Sequence, residues 1–252
     1  MSRSTEATVR ILGIPVSIGP GIVIGLLALG LLSRLSGVSL VEWVVFGLVG
    51  LLLHELGHAV AFRRFGVASS ITFWWLGGYT MPTDQEAVGR LLDRQMLVVA
   101  LAGPAVGLVL GLAGLAAGIA LGGAARSIRF PIYLWTFVNL GWGVFNLLPI
   151  AALDGGRALR SLAGALFGRV GRVLAFGGCM AASVLIAVAA FQYGLITVSI
   201  VAVVFGLLNP AAYSQLMDDL RPGRSETPAG SSARPSADAS PAADTASPGP
   251  RA

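Results

Sequence analysis

Between Val41 and Phe62 the chain is apolar apart from Glu42 at one end and the pentapeptide His54-Glu55-Leu56-Gly57-His58 near the other. A stretch of about 22 residues, rising about 1.5 Å per residue, suits a hydrocarbon core of about 30 Å. Ionisable side chains inside such a stretch are expensive and mark function by default. Positions four apart share one face of a helix, so His54 and His58 can offer two imidazoles to one metal ion. Glu55 follows the first of them, where it can activate a water at the metal as general base. The chain has no other histidine. The competing reading is a pair of hydrogen-bonded core histidines with a glutamate paired to an arginine, which that rule disfavours.

Composition agrees. The chain is 55% hydrophobic and 12% charged, with mean hydropathy +0.80, which predicts an α-helical polytopic membrane protein rather than a globular one. The formal charge of +5 therefore reads as positive loops on one side of a bilayer and not as a nucleic-acid surface. Every basic residue is Arg, which together with the excess of Ala and Gly is associated with G+C-rich, bacterial coding. The single Cys179 excludes an internal disulfide and a cysteine-based zinc site.

In chain order, residues 1–8 form a cytoplasmic tip, residues 9–220 the membrane domain, and residues 221–252 a tail whose Pro, Ala, Ser, Gly and Asp content predicts disorder. No cleavable signal peptide is evident. Val9–Ile18 is β-branched and interrupted by Gly13 and Pro15, favouring a short bent strand. About six membrane helices are expected, near 19–32, 40–62, 96–121, 130–148, 173–190 and 195–208. Between the second and third, Ile71-Thr72-Phe73-Trp74-Trp75-Leu76-Gly77-Gly78-Tyr79-Thr80-Met81 reads as a β-hairpin around a Gly-Gly turn. Its aromatic residues place it in the membrane interface, where a plain aromatic belt is the alternative reading. Thr83–Gln95 reads as a short surface helix. Gly103, Gly107, Gly111, Gly114 and Gly118 stripe the third helix and predict close helix packing. Arg157–Arg172 reads as a basic connector, itself a short helix.

With the N-terminus inside, the cytoplasmic side carries Arg3, Arg10, Arg63, Arg64, Arg90, Arg94, Arg157, Arg160, Arg169 and Arg172, and the other face only Arg34, Arg126 and Arg129. This asymmetry puts both termini inside and the histidines nearer the cytoplasm, in a multi-pass protein of the cell membrane.

A catalytic zinc usually takes three protein ligands and leaves a position for water. The third must be a carboxylate. Glu42 lies about 18 Å or more from His54 along its helix, and Asp84, Glu86 and Asp93 lie in a polar loop. Asp154 follows Pro149, which ends a membrane helix, and broken backbone at membrane depth is tolerated only where it is buried or lines a cavity. His54, His58 and Asp154 are thus the expected ligands of one Zn²⁺, with Glu55 as base.

Phe145-Asn146-Leu147-Leu148-Pro149-Ile150-Ala151-Ala152-Leu153-Asp154-Gly155 resembles the N-x-x-P-x-x-x-L-D-G signature of the site-2 protease family of intramembrane zinc metalloproteases. Together with HELGH in this order, and with Ala102-Gly103-Pro104 at the start of the third helix, the resemblance covers about residues 9–210. It implies that the two histidines and Asp154 bind zinc, that Glu55 activates water, and that Asn146 sits near the scissile carbonyl. There a side-chain amide can stabilise an oxyanion, a helix-capping or gating role being the alternative. It also implies that Val9–Ile18 and the hairpin form a small membrane-associated sheet. Its edge would hold an unwound substrate segment by strand addition, with Ile71, Phe73, Trp74, Gly77 and Gly78 as the contact residues. Gly107 stands where many members carry Asn. With no room in any loop for a PDZ insertion, the chain resembles a minimal member. The implied partners are the lipid bilayer and a single-pass regulatory substrate such as an anti-sigma or pro-sigma factor. The rival functions are a metal transporter or sensor, which would want polar residues on more of the helices, and an inactive relative, which the intact Glu55 and three ligands argue against.

Overall fold

The computed structural model describes residues 7–75, 77–207 and 210–220. The expected disordered tail, 221–252, and residues 1–6 of the tip lie outside the described residues.

The chain opens with a hairpin where a single bent strand was expected. β1 (Ala7–Ile11) and β2 (Ile14–Ile18) pair antiparallel across Leu12-Gly13. Both turn residues have positive φ, 52° and 80°, the backbone that reverses a hairpin in two residues. After α1 (Pro20–Leu32) and α2 (Val38–Arg64) the chain returns as β3 (Ser69–Trp74) and β4 (Gly77–Pro82). β3 lies parallel to β2, with Val16 opposite Ile71 and Ile18 opposite Phe73, giving a four-stranded sheet in the order β1-β2-β3-β4. Alternation sets its inner face. Ile14, Val16, Ile71 and Phe73 are buried against Ile22 and Leu26 of α1 and Leu51, Leu56 and Ala59 of α2.

The remaining elements are α3 (Gln85–Gly89), α4 (Asp93–Ala120), α5 (Arg126–Asn146), α6 (Asp154–Gln192), α7 (Ile196–Gly206) and α8 (Pro210–Leu220). Among the described residues three helices, α2, α4 and α6, are long and apolar enough to cross a membrane by length and composition. α1 is apolar but has 13 residues, about 20 Å of helix. Many large apolar side chains face outward, among them Leu31, Val109, Ile119, Leu185 and Phe191, as a lipid-facing exterior requires. The basic segment expected as a separate connector belongs to α6, which runs from Asp154 with one break at Gly168 (φ 59°, ψ −143°). Across that break Arg160 and Arg172 both bind Asp219 of α8, at 2.6 and 2.9 Å, and Arg172 also binds Asp93 at the start of α4, at 2.8 Å.

The glycine stripe of α4 is its contact face. A Cβ on Gly111 would press to 2.7 Å from the Leu140 backbone nitrogen, and one on Gly107 to 3.1 Å from the Asn139 carbonyl oxygen, whereas one on Gly118 would meet only Ile132, at 3.6 Å. Gly111→Ala should therefore lower the thermal unfolding midpoint in detergent, since overpacking costs about 1–3 kcal/mol. Gly118→Ala should leave it unchanged or raise it, by the propensity gain of about 1 kcal/mol. Equal midpoints in the two variants would remove the close α4–α5 crossing from the account.

Candidate metal centre

His54 and His58 lie on the buried face of α2. That face is seated on α4 at two glycines. A Cβ on Gly57 would stand 2.7 Å from the Ala102 carbonyl oxygen, and one on Gly103 would overlap the His58 ring. The HELGH glycine thus permits the helix crossing, and Gly103 makes room for the second imidazole.

Asp154 arrives from a hundred residues away. α5 ends at Asn146, and residues 147–153 fold back in short turns, with Ile150 N–H donating to the Leu148 carbonyl and Leu153 N–H to that of Ile150. Ile150 and Leu153 are buried with Ala187 and Ala202 and pin this loop in the apolar body. A Cβ on Gly155 or Gly156 would collide with the carbonyl oxygens of Leu147 or Ile150. Asp154 then opens α6.

The three residues are buried, at 2%, 5% and 6% exposure. His54 Nε2 and His58 Nε2 lie 3.0 and 3.1 Å from the same Asp154 oxygen, Oδ2, and 3.3 Å from each other. Four-coordinate zinc with bonds of about 2.0 Å has ligand–ligand edges of about 3.3 Å. The triangle matches one face of that tetrahedron. Its chemistry matches too. His58 Nδ1 is 2.7 Å from the Val99 carbonyl oxygen and so donates its proton there, leaving the Nε2 lone pair aimed at the cluster. Lone pairs from two imidazoles and a carboxylate then converge in an apolar setting, an arrangement that a cation satisfies. Among the described residues these three form the group able to hold a metal ion. The other carboxylate oxygen, Oδ1, looks toward Arg157 at 3.9 Å.

Glu55 is buried beside the cluster. The hydroxyl of Thr80, on β4, lies 2.8 Å from Glu55 Oε2, to which it donates, and 3.0 Å from the Glu55 carbonyl oxygen. Gly78 lets the hairpin close down here, since a Cβ there would press on Glu55 Cγ and the Phe73 ring. Asn146 is buried at the end of α5 and donates through Nδ2 to the Trp142 carbonyl, at 3.0 Å.

The hairpin residues divide. Ile71 and Phe73 are core side chains at 0% and 2% exposure, on a strand paired on both sides, so neither can meet an added strand. Trp74 is exposed at the end of β3, and Gly77 and Gly78 lie on β4, an edge of the sheet. The expected substrate contacts of Ile71 and Phe73 are corrected accordingly. Sequence reasoning missed Thr80, Gly103 and the Val99 carbonyl. A hairpin threonine carries no signal for a bond to a helix residue 25 positions earlier, and Gly103 was legible as part of a packing stripe and of the Ala102-Gly103-Pro104 element, without its place under His58.

The purified chain is expected to hold about one zinc, measured by elemental analysis, with loss in both His58→Ala and Asp154→Ala. Gly103→Ala, which displaces the His58 ring, should weaken zinc affinity by about 10-fold or more; unchanged affinity would show that His58 does not need this seat.

The model of peptidase family M50 matches residues 43–130 and 118–190, which take in both halves of the cluster. Among curated proteins, Rip3 of Mycobacterium tuberculosis, named provisionally as a zinc metalloprotease, is 38% identical over 117 residues, covering 45% of this chain and 29% of Rip3. A zinc metalloprotease of Methanocaldococcus jannaschii is 28% identical over 168 residues, covering 63% of this chain and 45% of that one. The chain thus spans less than half the length of these relatives. The solved structure of the site-2 protease from M. jannaschii shares the fold, with TM-score 0.53 and 22% identity over 88% of this chain and 98% of that one. With the family model covering more than half of its residues, and the ligand triangle lying inside the matched stretches, the chain belongs to peptidase family M50.

Proposed function

We propose that the chain is a zinc-dependent intramembrane endopeptidase. It hydrolyses a peptide bond in or near the transmembrane segment of a membrane-anchored regulatory protein, of the anti-sigma or pro-sigma kind, as a step of regulated intramembrane proteolysis. The observation that carries this reading is the buried triangle of two imidazole nitrogens and one carboxylate oxygen, flanked by Glu55, set between two helices each apolar enough to cross a membrane. The zinc metalloprotease names of its relatives support it.

His54, His58 and Asp154 hold the metal, and bound zinc supplies Lewis acidity that polarises the peptide carbonyl and acidifies water. Glu55 takes the proton from the attacking water and passes it to the leaving amine. Thr80 holds one Glu55 oxygen, Oε2, and so fixes the carboxylate that takes the proton. Asn146 stands as the amide that steadies the developing oxyanion. A substrate helix has its carbonyls engaged in its own hydrogen bonds and must unwind first. The edge of β4, with Gly77 and Gly78, is the place for the unwound strand, and exposed Trp74 flanks it. The chain passes the bilayer six times, as a multi-pass protein of a bacterial cell membrane with both termini in the cytoplasm.

Glu55→Gln should retain zinc at the wild-type stoichiometry and lose cleavage by at least about a hundredfold, the scale of general acid–base catalysis. Full activity in that variant would take Glu55 out of the mechanism. Gly or Pro introduced through the membrane segment of a cleaved substrate should raise the cleavage rate near the scissile bond, and a flat rate along the scan would argue against unwinding as a requirement.

A further inference from the structure

Beside the metal site lies a cavity of about 280 Å³ between α1, α2 and α5, with Ile22, Leu26 and Trp43 among its apolar walls and His54 at one side. Three buried side-chain polar atoms have no hydrogen-bond partner among the described residues: His54 Nδ1, Asn139 Oδ1 and Trp142 Nε1. All three residues line this cavity.

Their chemistry is complementary. With His54 Nε2 turned to the cluster as a lone pair, the neutral imidazole carries its proton on Nδ1 and needs an acceptor. Asn139, on α5, is 2% exposed and spends its amide N–H on the Trp135 carbonyl at 2.9 Å. That bond orients the amide and turns Oδ1 toward α2. A Cβ on Gly50 would lie 3.0 Å from Asn139 Oδ1, and Gly50 precedes His54 by one helical turn, on the face toward which the side chain of His54 leans. Trp142, three residues after Asn139 on α5, brings a second donor to the same cavity.

We infer that Asn139 is the positioning residue of His54, joined to it by one water held in this cavity, the water accepting from His54 Nδ1–H and donating to Asn139 Oδ1, with Trp142 Nε1–H as a third partner. A buried water with about three protein partners is an ordinary structural element. Metal-bound histidines characteristically give their second N–H to a carboxylate, carbonyl or water, which fixes the ring. Val99 does this for His58; Asn139 does it for His54. The absence of a side chain at Gly50 leaves the space open. The inference rests on His54 being a zinc ligand.

The test is zinc affinity, by competition with a chromogenic chelator, on the full chain purified as a monodisperse detergent complex. Asn139→Leu, which keeps the size and removes the acceptor, should weaken zinc binding about 10- to 100-fold, whereas Asn139→Asp, which keeps the acceptor, should stay within about threefold of wild type. Wild-type affinity in Asn139→Leu, or equal weakness in Asn139→Asp, overturns the inference. Should the leucine variant not fold, nitrogen-15 histidine NMR of the zinc-loaded wild type decides. A slowly exchanging proton on His54 Nδ1 supports the bridge, and a rapidly exchanging one refutes it. His54→Ala separates the two levels. If it retains zinc, the ligand set itself is wrong; if it loses zinc while Asn139→Leu keeps it, only the role of Asn139 falls.

Discussion

The structure depends on holding three electron-rich atoms within 3.3 Å of one another inside an apolar body. Two imidazole lone pairs and a carboxylate oxygen repel when brought together away from water, and burying them unpaired is costly. A cation reverses the sign of that interaction. The surrounding fold can be understood as the means of bringing these atoms together. Two glycines, Gly57 and Gly103, let α2 sink onto α4, and a loop pinned by Ile150 and Leu153 delivers Asp154 from the far side.

The three residues able to hold a metal ion and Glu55 are supported by different parts of the molecule. His54, His58 and Asp154 stand on helices, whose stiffness suits a fixed coordination geometry. Glu55 shares α2 with the histidines, yet its carboxylate is held by Thr80 from the sheet. Thr80 lies on β4, an edge strand of the sheet, so the orientation of the Glu55 carboxylate is tied to that edge. The ion network of Asp93, Arg160, Arg172 and Asp219 ties the starts of α4 and α6 to α8 across the Gly168 break.

Much of this was legible in the residues. The spacing of His54 and His58 depends only on the 3.6-residue helical period, and an aspartate after a proline-ended apolar helix is conspicuous because few others lie at such depth. The hairpin over residues 69–82 and the glycine face of α4 follow from local periodicity in the same way, although Gly77 and Gly78 open β4 opposite Trp74 and Phe73 instead of forming the expected turn. Local signals failed where a turn used an unexpected residue. Leu12 adopts a positive φ that its type disfavours, so a two-strand hairpin looked like one bent strand. They failed again in α6, where a charged amphipathic start continues into an apolar helix through a single break.

By itself the sequence determined the chemistry: which residue types could hold zinc, which carboxylate could act as base, and that the setting is apolar. Tertiary structure alone decided the partners. That Ile71 and Phe73 belong to the core, that Thr80 reaches Glu55, that Gly103 lies under His58 and that Asn139 faces the helix of His54 are consequences of how helices and strands cross. Periodicity tells which face of an element is buried. It does not tell against which neighbour or at what rotation, because a crossing is set by the summed shape of many side chains and by the few glycines that allow backbones to touch.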